Sequence, residues 1–100
     1  MQIHDKKEHI WKYFDELVGV VQKVALDKRL LKEFLIDILT PRELEEISKR
    51  WQIIKMLQSE TPHHKIAGEL HIGVGTVTRG SREMRNKHGG FQLALAKLRK

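Results

Sequence analysis

Residues 61–84, with the sequence TPHHKIAGELHIGVGTVTRGSREM, read as a short helix, a glycine turn and a second helix. We expect Thr61 to cap the first of these helices and Pro62 to begin it, because the N–H that proline lacks would have no partner at that position. The first helix is expected to end before Gly73, since glycine adopts backbone angles that other residues resist. The stretch therefore predicts a pair of helices joined by a tight turn.

Apolar and small residues in this stretch follow the spacing of a DNA-binding helix-turn-helix. Those expected to face inward are Ile66, Ala67, Leu70, Ile72, Val77, Gly80 and Met84. Those left facing outward on the second helix are Val74, Gly75, Thr78 and Arg82. The same spacing also occurs in two-helix corners of other α-helical domains, so a second observation is needed to choose between the two interpretations.

The positive charge of the chain supplies that observation. Residues 61–100 hold eight basic and two acidic residues, which accounts for the whole net charge of +6. Such a concentration after a glycine turn suits a polyanion such as DNA, whose condensed counterions are released on binding. An anionic membrane would require a long apolar face beside the basic one, and residues 74–88 lack it. The charge distribution therefore favours duplex DNA as the partner.

The composition limits the class of protein. One hundred residues fit one domain with a small core, which makes oligomerisation a plausible route to stability. The absence of cysteine excludes disulfides and thiolate metal sites and agrees with a reducing, cytoplasmic location. No apolar run approaches the roughly 18 residues of a membrane span, and the amino terminus lacks the apolar segment of a secretion signal.

Four further helices and no strand are expected around the helix-turn-helix. The six predicted helices cover about residues 5–26, 28–39, 41–58, 62–70, 74–87 and 91–98. Asp27 is expected to cap the second helix, and Thr40 forms a capping box with Glu43 at the start of the third. His88 and the two glycines after it are expected to end the fifth.

The apolar faces of these helices suggest an oligomer. The first helix carries apolar residues on more than one side, so we expect it to lie between neighbours or in a subunit interface. The sixth would leave its apolar face exposed unless a partner subunit covers it. On the third helix, the residues expected to face inward are Leu44, Ile47, Trp51, Ile54 and Leu57.

Three motifs, Leu39-Thr40-Pro41, Arg50 and the string TVTRGS at residues 76–81, resemble the bacterial Trp repressor family. The resemblance runs from about residue 30 to 84. It implies an all-α, six-helix fold with a helix-turn-helix, in an intertwined homodimer. Residues 1–100 would form one domain, with a dimerisation core at about 5–58 and 90–99 and a DNA-reading head at about 61–87. It also implies a sequence-specific transcriptional repressor that binds a duplex operator, with L-tryptophan as its corepressor.

The resemblance implies a ligand site for tryptophan, made from Leu39, Thr40, Arg50, Arg79, Gly80 and Glu83. Arg79 would pair with the ligand carboxylate, helped by the Thr40 hydroxyl of the other chain. Arg50 would lie against the indole ring, and Gly80 would leave room for it. The carbonyl end of the second helix near Leu39 would face the ligand amino group, since a helix C-terminus carries partial negative charge.

The chain departs from the family at several positions. Glu83 replaces a small hydroxyl residue, and its carboxylate either binds the ligand ammonium or folds back onto Arg79. His63 and His64 stand where the family carries a polar residue and an arginine that touches DNA, so we do not expect the family's operator sequence. His71 replaces the usual glycine of the turn, which predicts strain or an unusual backbone angle there.

The residues expected to meet DNA are Lys49, His63, His64, Lys65, Val74, Gly75, Thr76, Thr78, Arg82 and Arg85. Val74, Gly75 and Thr78 lie at the start of the fifth helix, where base edges can be reached. The lysines and arginines are expected to meet phosphates, which position the protein without specifying a sequence.

Three other functions remain open at this point. The first is a DNA-binding relative that does not depend on tryptophan and is either constitutive or controlled by another ligand. Glu83, which replaces a small hydroxyl residue of the family, suggests this alternative. The second is a dimeric, antitoxin-like module whose basic head binds an acidic protein. The third is an enzyme or metalloprotein, which we do not expect: adjacent histidines point to different helix faces, and no catalytic triad order or phosphate loop is present. No cofactor besides tryptophan is expected.

Overall fold

The computed structural model of the protein describes residues 8–99, and within this range it contains six helices and no strand. The helices are α1 (Glu8–Val24), α2 (Lys28–Ile38), α3 (Pro41–Gln58), α4 (His63–Leu70), α5 (Val74–Met84) and α6 (Gly90–Leu98). The all-α, six-helix prediction is confirmed. The predicted start of the first helix at residue 5 lies outside the described residues.

The chain divides into two compact units. The first unit ends at Leu44 and the second unit begins at Glu45, so α3 contributes residues to both. In the first unit α1 packs against α2, and in the second unit α5 packs against both α4 and α6. The division of a single domain into a dimerisation core and a reading head stays a prediction, because that core would be built from two chains.

Two of the three predicted helix caps, those of α2 and α3, are present. The Asp27 carboxylate accepts hydrogen bonds from the backbone N–H groups of Arg29 and Leu30, at 3.0 and 3.2 Å. The backbone N–H of Thr40 donates to Glu43 Oε1 at 2.9 Å, while the N–H of Glu43 donates to Thr40 Oγ1 at 3.1 Å. This reciprocal pair is the expected capping box. Each cap contributes roughly 1 kcal/mol to the stability of its helix.

The first unit lacks a buried core within one chain. None of residues 9–44 is buried. Tyr13 and Phe14 are 66 % and 47 % exposed, respectively. The Trp11 and Phe14 rings meet edge to face, with centroids 5.9 Å apart. The apolar stripe of α1 is therefore only partly covered by α2, as expected of a helix that needs a further neighbour.

The core of the second unit lies between α3, α4 and α5. Its buried residues are Ile53, Ile66, Ala67 and Val77, with Met56, Leu57, Leu70 and Ile72 packed around them. The predicted inward positions of the helix-turn-helix are therefore confirmed. On α3 the prediction was wrong at Ile47, which is 47 % exposed, and it omitted Ile53, which is 2 % exposed. The reason is that α4 and α5 pack on the side of α3 that carries Ile53.

The predicted start of α4 was wrong by one residue. Pro62 has an extended backbone, with ψ 145°, and stands at the N-cap position, while the first helical residue is His63. Because Pro62 takes the N-cap position, Thr61 lies one residue too early to cap α4. Its own N–H donates to Met56 O at 3.0 Å, near the end of α3. Glu60 joins the two helices in the left-handed conformation, with φ 60°.

The predicted end of α5 was too late. The helix stops at Met84, and Asn86 forms a turn in which its side-chain oxygen accepts from the His88 N–H at 3.1 Å. The Gly89 N–H donates to Asn86 O at 3.0 Å. Asparagine favours such local bonds over a continued helix, which explains the early end. The turn is closed further by Gln92, whose amide donates to Met84 O at 2.7 Å.

Candidate nucleic-acid interface

The turn of the helix-turn-helix depends on a left-handed residue, and that residue is His71. It has φ 55° and ψ 50°, in the left-handed region, which costs a non-glycine residue roughly 1–2 kcal/mol. The Ile72 N–H donates to Ala67 O at 3.0 Å and places the Ile72 side chain against the core. The unusual angle predicted for His71 is confirmed. The prediction that Gly73 supplies the special angle was wrong, because Gly73 has an ordinary φ of −74°.

Gly80 brings α5 close to α3. A Cβ added to Gly80 would lie 2.9 Å from the Ile53 Cγ2 atom, closer than real Cβ atoms come to other groups. It would also come within 3.8 Å of Leu57 and Ile54 side-chain atoms. The absence of a side chain is therefore required by packing within the chain. The additional role implied by the resemblance, room for a ligand, stays a prediction.

The outward face of α5 carries the residues expected to read DNA. Val74 is 51 % exposed, Gly75, Thr76 and Arg82 are exposed, and Thr78 is half-buried. The Thr78 hydroxyl donates to Val74 O at 3.1 Å, so it is held against the helix backbone. The face of α5 opposite the core thus carries small side chains in its first turn and the cationic side chain of Arg82 further along the helix.

The remaining residues of the predicted DNA surface lie in the same unit. His63 is half-buried at the start of α4, followed by exposed His64 and Lys65. Arg85 is exposed at the C-cap of α5. Lys49 on α3 pairs with Glu45, with 2.9 Å between Nζ and Oε1. A pair of this exposed kind contributes about 0.3–0.5 kcal/mol, so a phosphate can displace it at little cost.

The residues predicted to hold the ligand fall into two groups. Arg50, Arg79, Gly80 and Glu83 lie in the second unit, where Gly80 is buried and the three charged side chains are exposed. Within residues 8–99, no ion pair joins Arg79 to Glu83. The guanidinium of Arg79 is thus not occupied by that carboxylate.

Leu39 and Thr40 form the second group, in the first unit. Leu39 is the C-cap of α2, and its N–H donates to Leu35 O at 3.0 Å. In the capping box Thr40 Oγ1 accepts from the Glu43 N–H, and the Thr40 side chain also hydrogen-bonds the Glu43 carboxylate, which helps to lower the pKa of Glu43. The ligand contact implied by the resemblance would require the Thr40 hydroxyl to turn away from Glu43, and it stays a prediction.

Glu83 borders an open depression that the sequence did not reveal. Its other lining residues are Trp51, Asn86, Gly89, Gly90, Phe91 and Ala94, and its volume is about 470 Å³. The depression exists because the Asn86 turn returns the chain onto α5 through Gln92. Since the turn was predicted as helix, Phe91 could not be placed near Trp51 from the sequence.

No group of three or more His, Cys, Asp or Glu side chains in residues 8–99 is placed to hold a metal ion. No helix within those residues combines the length and apolar character needed to cross a bilayer.

Comparison with known proteins gives a consistent set of relatives. The family profile described as Trp repressor protein matches residues 10–99. The Trp operon repressor homolog of Vibrio parahaemolyticus is 28% identical over 85 residues, covering 84% of this chain and 79% of the relative. The homolog of Vibrio cholerae is 32% identical over 77 residues, with 76% and 75% covered. That of Photobacterium profundum is 30% identical over 91 residues, with 87% and 84% covered. No solved structure matches at comparable significance.

Proposed function

Because this chain belongs to the Trp repressor family of DNA-binding transcriptional regulators, we propose that it represses transcription by binding a specific operator as a homodimer, with L-tryptophan as corepressor. Members of that family are regulators and not enzymes. One observation carries the proposal: the exposed face of a packed helix-turn-helix lies in the segment that holds the whole positive charge excess of the chain.

DNA binding follows from the surface of the second unit. The start of α5 exposes Val74, Gly75 and Thr76, which are short enough for a helix to enter the major groove and approach base edges. Lys65 and Arg82 are exposed beside this turn and would meet phosphates on either side of the groove. Phosphate contacts release counterions, so affinity should fall steeply with salt.

The surface of the first unit supports a homodimer. Tyr13, Phe14 and Val18 expose large apolar side chains on α1, which is costly for a protein without a partner. The Trp11 indole Nε1 is enclosed and has no hydrogen-bond partner in residues 8–99. A second copy would cover the apolar stripe, and two heads related by a twofold axis would meet successive major grooves, roughly 34 Å apart.

Tryptophan would act by holding the heads at the spacing that fits DNA. The planar guanidinium of Arg79 suits a carboxylate, Arg50 can stack on the indole, and the Thr40 hydroxyl of the other chain can turn from Glu43 to donate to the same carboxylate. Ligand that binds the DNA-competent arrangement more tightly shifts the population toward it. By linkage, operator DNA must then tighten tryptophan binding by the same factor.

The proposal is tested by fluorescence anisotropy with duplexes that the protein itself selects from a random-sequence pool. Millimolar L-tryptophan should tighten binding by about fivefold or more, the lower end of typical coupling between two sites. Unchanged affinity would contradict corepressor control. Failure to select any duplex, or binding that does not respond to salt, would contradict DNA binding itself.

Two variants locate the ligand site. Arg79→Gln should abolish tryptophan binding measured by calorimetry without DNA, because the carboxylate loses its ionic partner. Arg99→Gln is the matched control, since it removes the same charge from an exposed position at the C-cap of α6, outside the residues proposed to hold tryptophan. Equal loss in both variants would show that net charge, and not this site, controls binding.

A second candidate function is a repressor that does not respond to tryptophan. Glu83 favours it, because a carboxylate borders the depression lined by Trp51 and Phe91, where the family has a small hydroxyl residue. If this function is correct, the unmodified protein binds its duplex equally with and without tryptophan, while Glu83→Ser gains a response. A response already present before the substitution would exclude it.

A further inference from the structure

The first turn of α5 presents methyl groups where a reading helix would be expected to present hydrogen-bond donors. Val74 is 51 % exposed although its side chain is wholly apolar. Gly75 has no side chain, and a Cβ built there would meet nothing within 4 Å. Thr76, also in this turn, is exposed and carries a hydroxyl, so the isopropyl group of Val74 is the apolar side chain that the turn presents.

Thr78 adds a second methyl group to this surface. It lies one turn after Val74 and so on the same side of the helix. Its hydroxyl hydrogen is engaged, because Oγ1 donates to Val74 O at 3.1 Å. The hydroxyl is thereby turned to the backbone, and what remains for a ligand is its methyl group and a lone pair on the oxygen.

These groups match one feature of the major groove. Guanine presents two acceptors and is read by a donor, whereas thymine presents a 5-methyl group that apolar side chains and the threonine methyl can contact. Resting on the proposed DNA-binding function, we infer that Val74 and Thr78 specify thymine through its 5-methyl group, and that this contact selects the operator at the base pairs beneath the first turn of α5.

The test uses duplexes selected by the protein from a random-sequence pool, with each thymine replaced in turn by uracil, which lacks only the 5-methyl group. At one or more positions uracil should weaken binding about three- to fivefold, the effect expected from losing one buried methyl group. The readout is the dissociation constant from anisotropy.

Two variants assign the effect to the helix. Val74→Ala should reduce the preference for thymine over uracil, leaving the share that Thr78 contributes, and it should fold normally because Val74 is 51 % exposed and alanine favours helix. Lys65→Ala removes an exposed cation and should weaken binding to both duplexes by the same factor, leaving the preference intact.

The results separate this inference from the function on which it rests. Uracil that has no effect at any position, in a protein that still binds its selected duplex, overturns the inference and leaves DNA binding standing. A preference that is undiminished in Val74→Ala overturns it as well. If no duplex is selected at all, DNA binding fails and the inference fails with it.

Discussion

The two units of the chain differ in what they bury. The second unit encloses Ile66 and Val77 completely, each at 0% exposure, whereas none of residues 9–44 in the first unit is buried. Both units have helices with clear apolar faces, so the difference does not lie in their hydrophobicity. The units differ in whether other helices of the same chain cover those apolar faces. The second unit therefore has a buried core of its own, whereas the first unit leaves its apolar side chains partly uncovered, as expected if a second copy packs there.

The two units are also expected to have different roles. A core of four residues, Ile53, Ile66, Ala67 and Val77, fixes the angle of the reading helix but encloses little apolar area. We therefore expect the head to adjust when DNA or ligand binds, since regions with few buried contacts open most readily. The larger apolar surface of α1 and α2 would supply most of the stability once two chains associate.

The most damaging change should be a charge placed on the exposed apolar stripe. Phe14→Glu puts a carboxylate on a residue that is 47 % exposed in one chain and would be covered by the second. An unpaired buried charge costs about 3–5 kcal/mol, so self-association should weaken by more than about 100-fold. Sedimentation equilibrium measures the dissociation constant.

Gln22→Glu is the control for this prediction, because it adds the same charge at an exposed polar position of α1. It should leave the dissociation constant nearly unchanged. Equal effects of the two substitutions would show that the stripe of α1 is not an interface and would remove the contrast between the units.

Gly80→Ala should break the packing of the second unit. The added methyl group would collide with Ile53 Cγ2 at 2.9 Å, and overpacking of this kind costs roughly 1–3 kcal/mol. Urea denaturation should show the loss in the free energy of unfolding. Adding Ile53→Leu should restore part of it, because leucine has no methyl group on Cβ.

Gly68→Ala is the matched control for the glycine. Gly68 also lies within a helix, but a Cβ there meets nothing within 4 Å. Alanine should therefore stabilise this helix by about 0.5–1 kcal/mol. If Gly80→Ala were tolerated as well as Gly68→Ala, the close approach of α5 to α3 would be wrong.

His71→Gly should make the turn of the head more stable. His71 has φ 55°, a backbone angle that destabilises a non-glycine residue by about 1–2 kcal/mol. Glycine relieves this strain, but part of the benefit is lost because glycine has more conformational freedom in the unfolded state. We expect a net increase of up to about 1 kcal/mol in the free energy of unfolding. His71→Ala should instead lower it, and a gain of equal size in both variants would show that the backbone angle is not the cause.

The smallest effect concerns pH. Hydrogen bonds from the Thr40 backbone N–H, and secondly from its side chain, lower the pKa of Glu43 below its ordinary value of 4.5. A carboxylate whose pKa is lowered by folding stabilises the folded state at pH values above the pKa of the unfolded state. This stabilisation is lost as the pH falls through the pKa of the folded state. The stability difference between the unmodified protein and Glu43→Gln should therefore shrink between pH values of about 5 and 2. A difference that grows on acidification would show that the capping hydrogen bonds do not lower this pKa.

Local signals in the sequence predicted the helices and their caps well. Asp27 and the Thr40–Glu43 pair act on backbone groups within three residues, so spacing alone identified them. The buried face of the helix-turn-helix was predicted for the same reason, because Ile66 and Val77 follow the helical period.

Features that depend on distant residues could not be predicted. The contact between Gly80 and Ile53 joins α5 to α3, and no local pattern encodes it. The exposure of Ile47 depends on where α4 and α5 pack on α3. In the candidate site, the residue types of the outward face were visible in the sequence, but the bond from Thr78 to Val74 O, which decides what the hydroxyl can offer DNA, was not.

The most direct test of the account is the mass of the complex between the protein and a duplex selected by it, measured by native mass spectrometry in the presence of L-tryptophan. The account predicts two chains of 11.7 kDa each on one duplex, with no significant complex that holds a single chain. A saturated complex with one chain per duplex would contradict it, because the apolar surface of the first unit would then need no second copy.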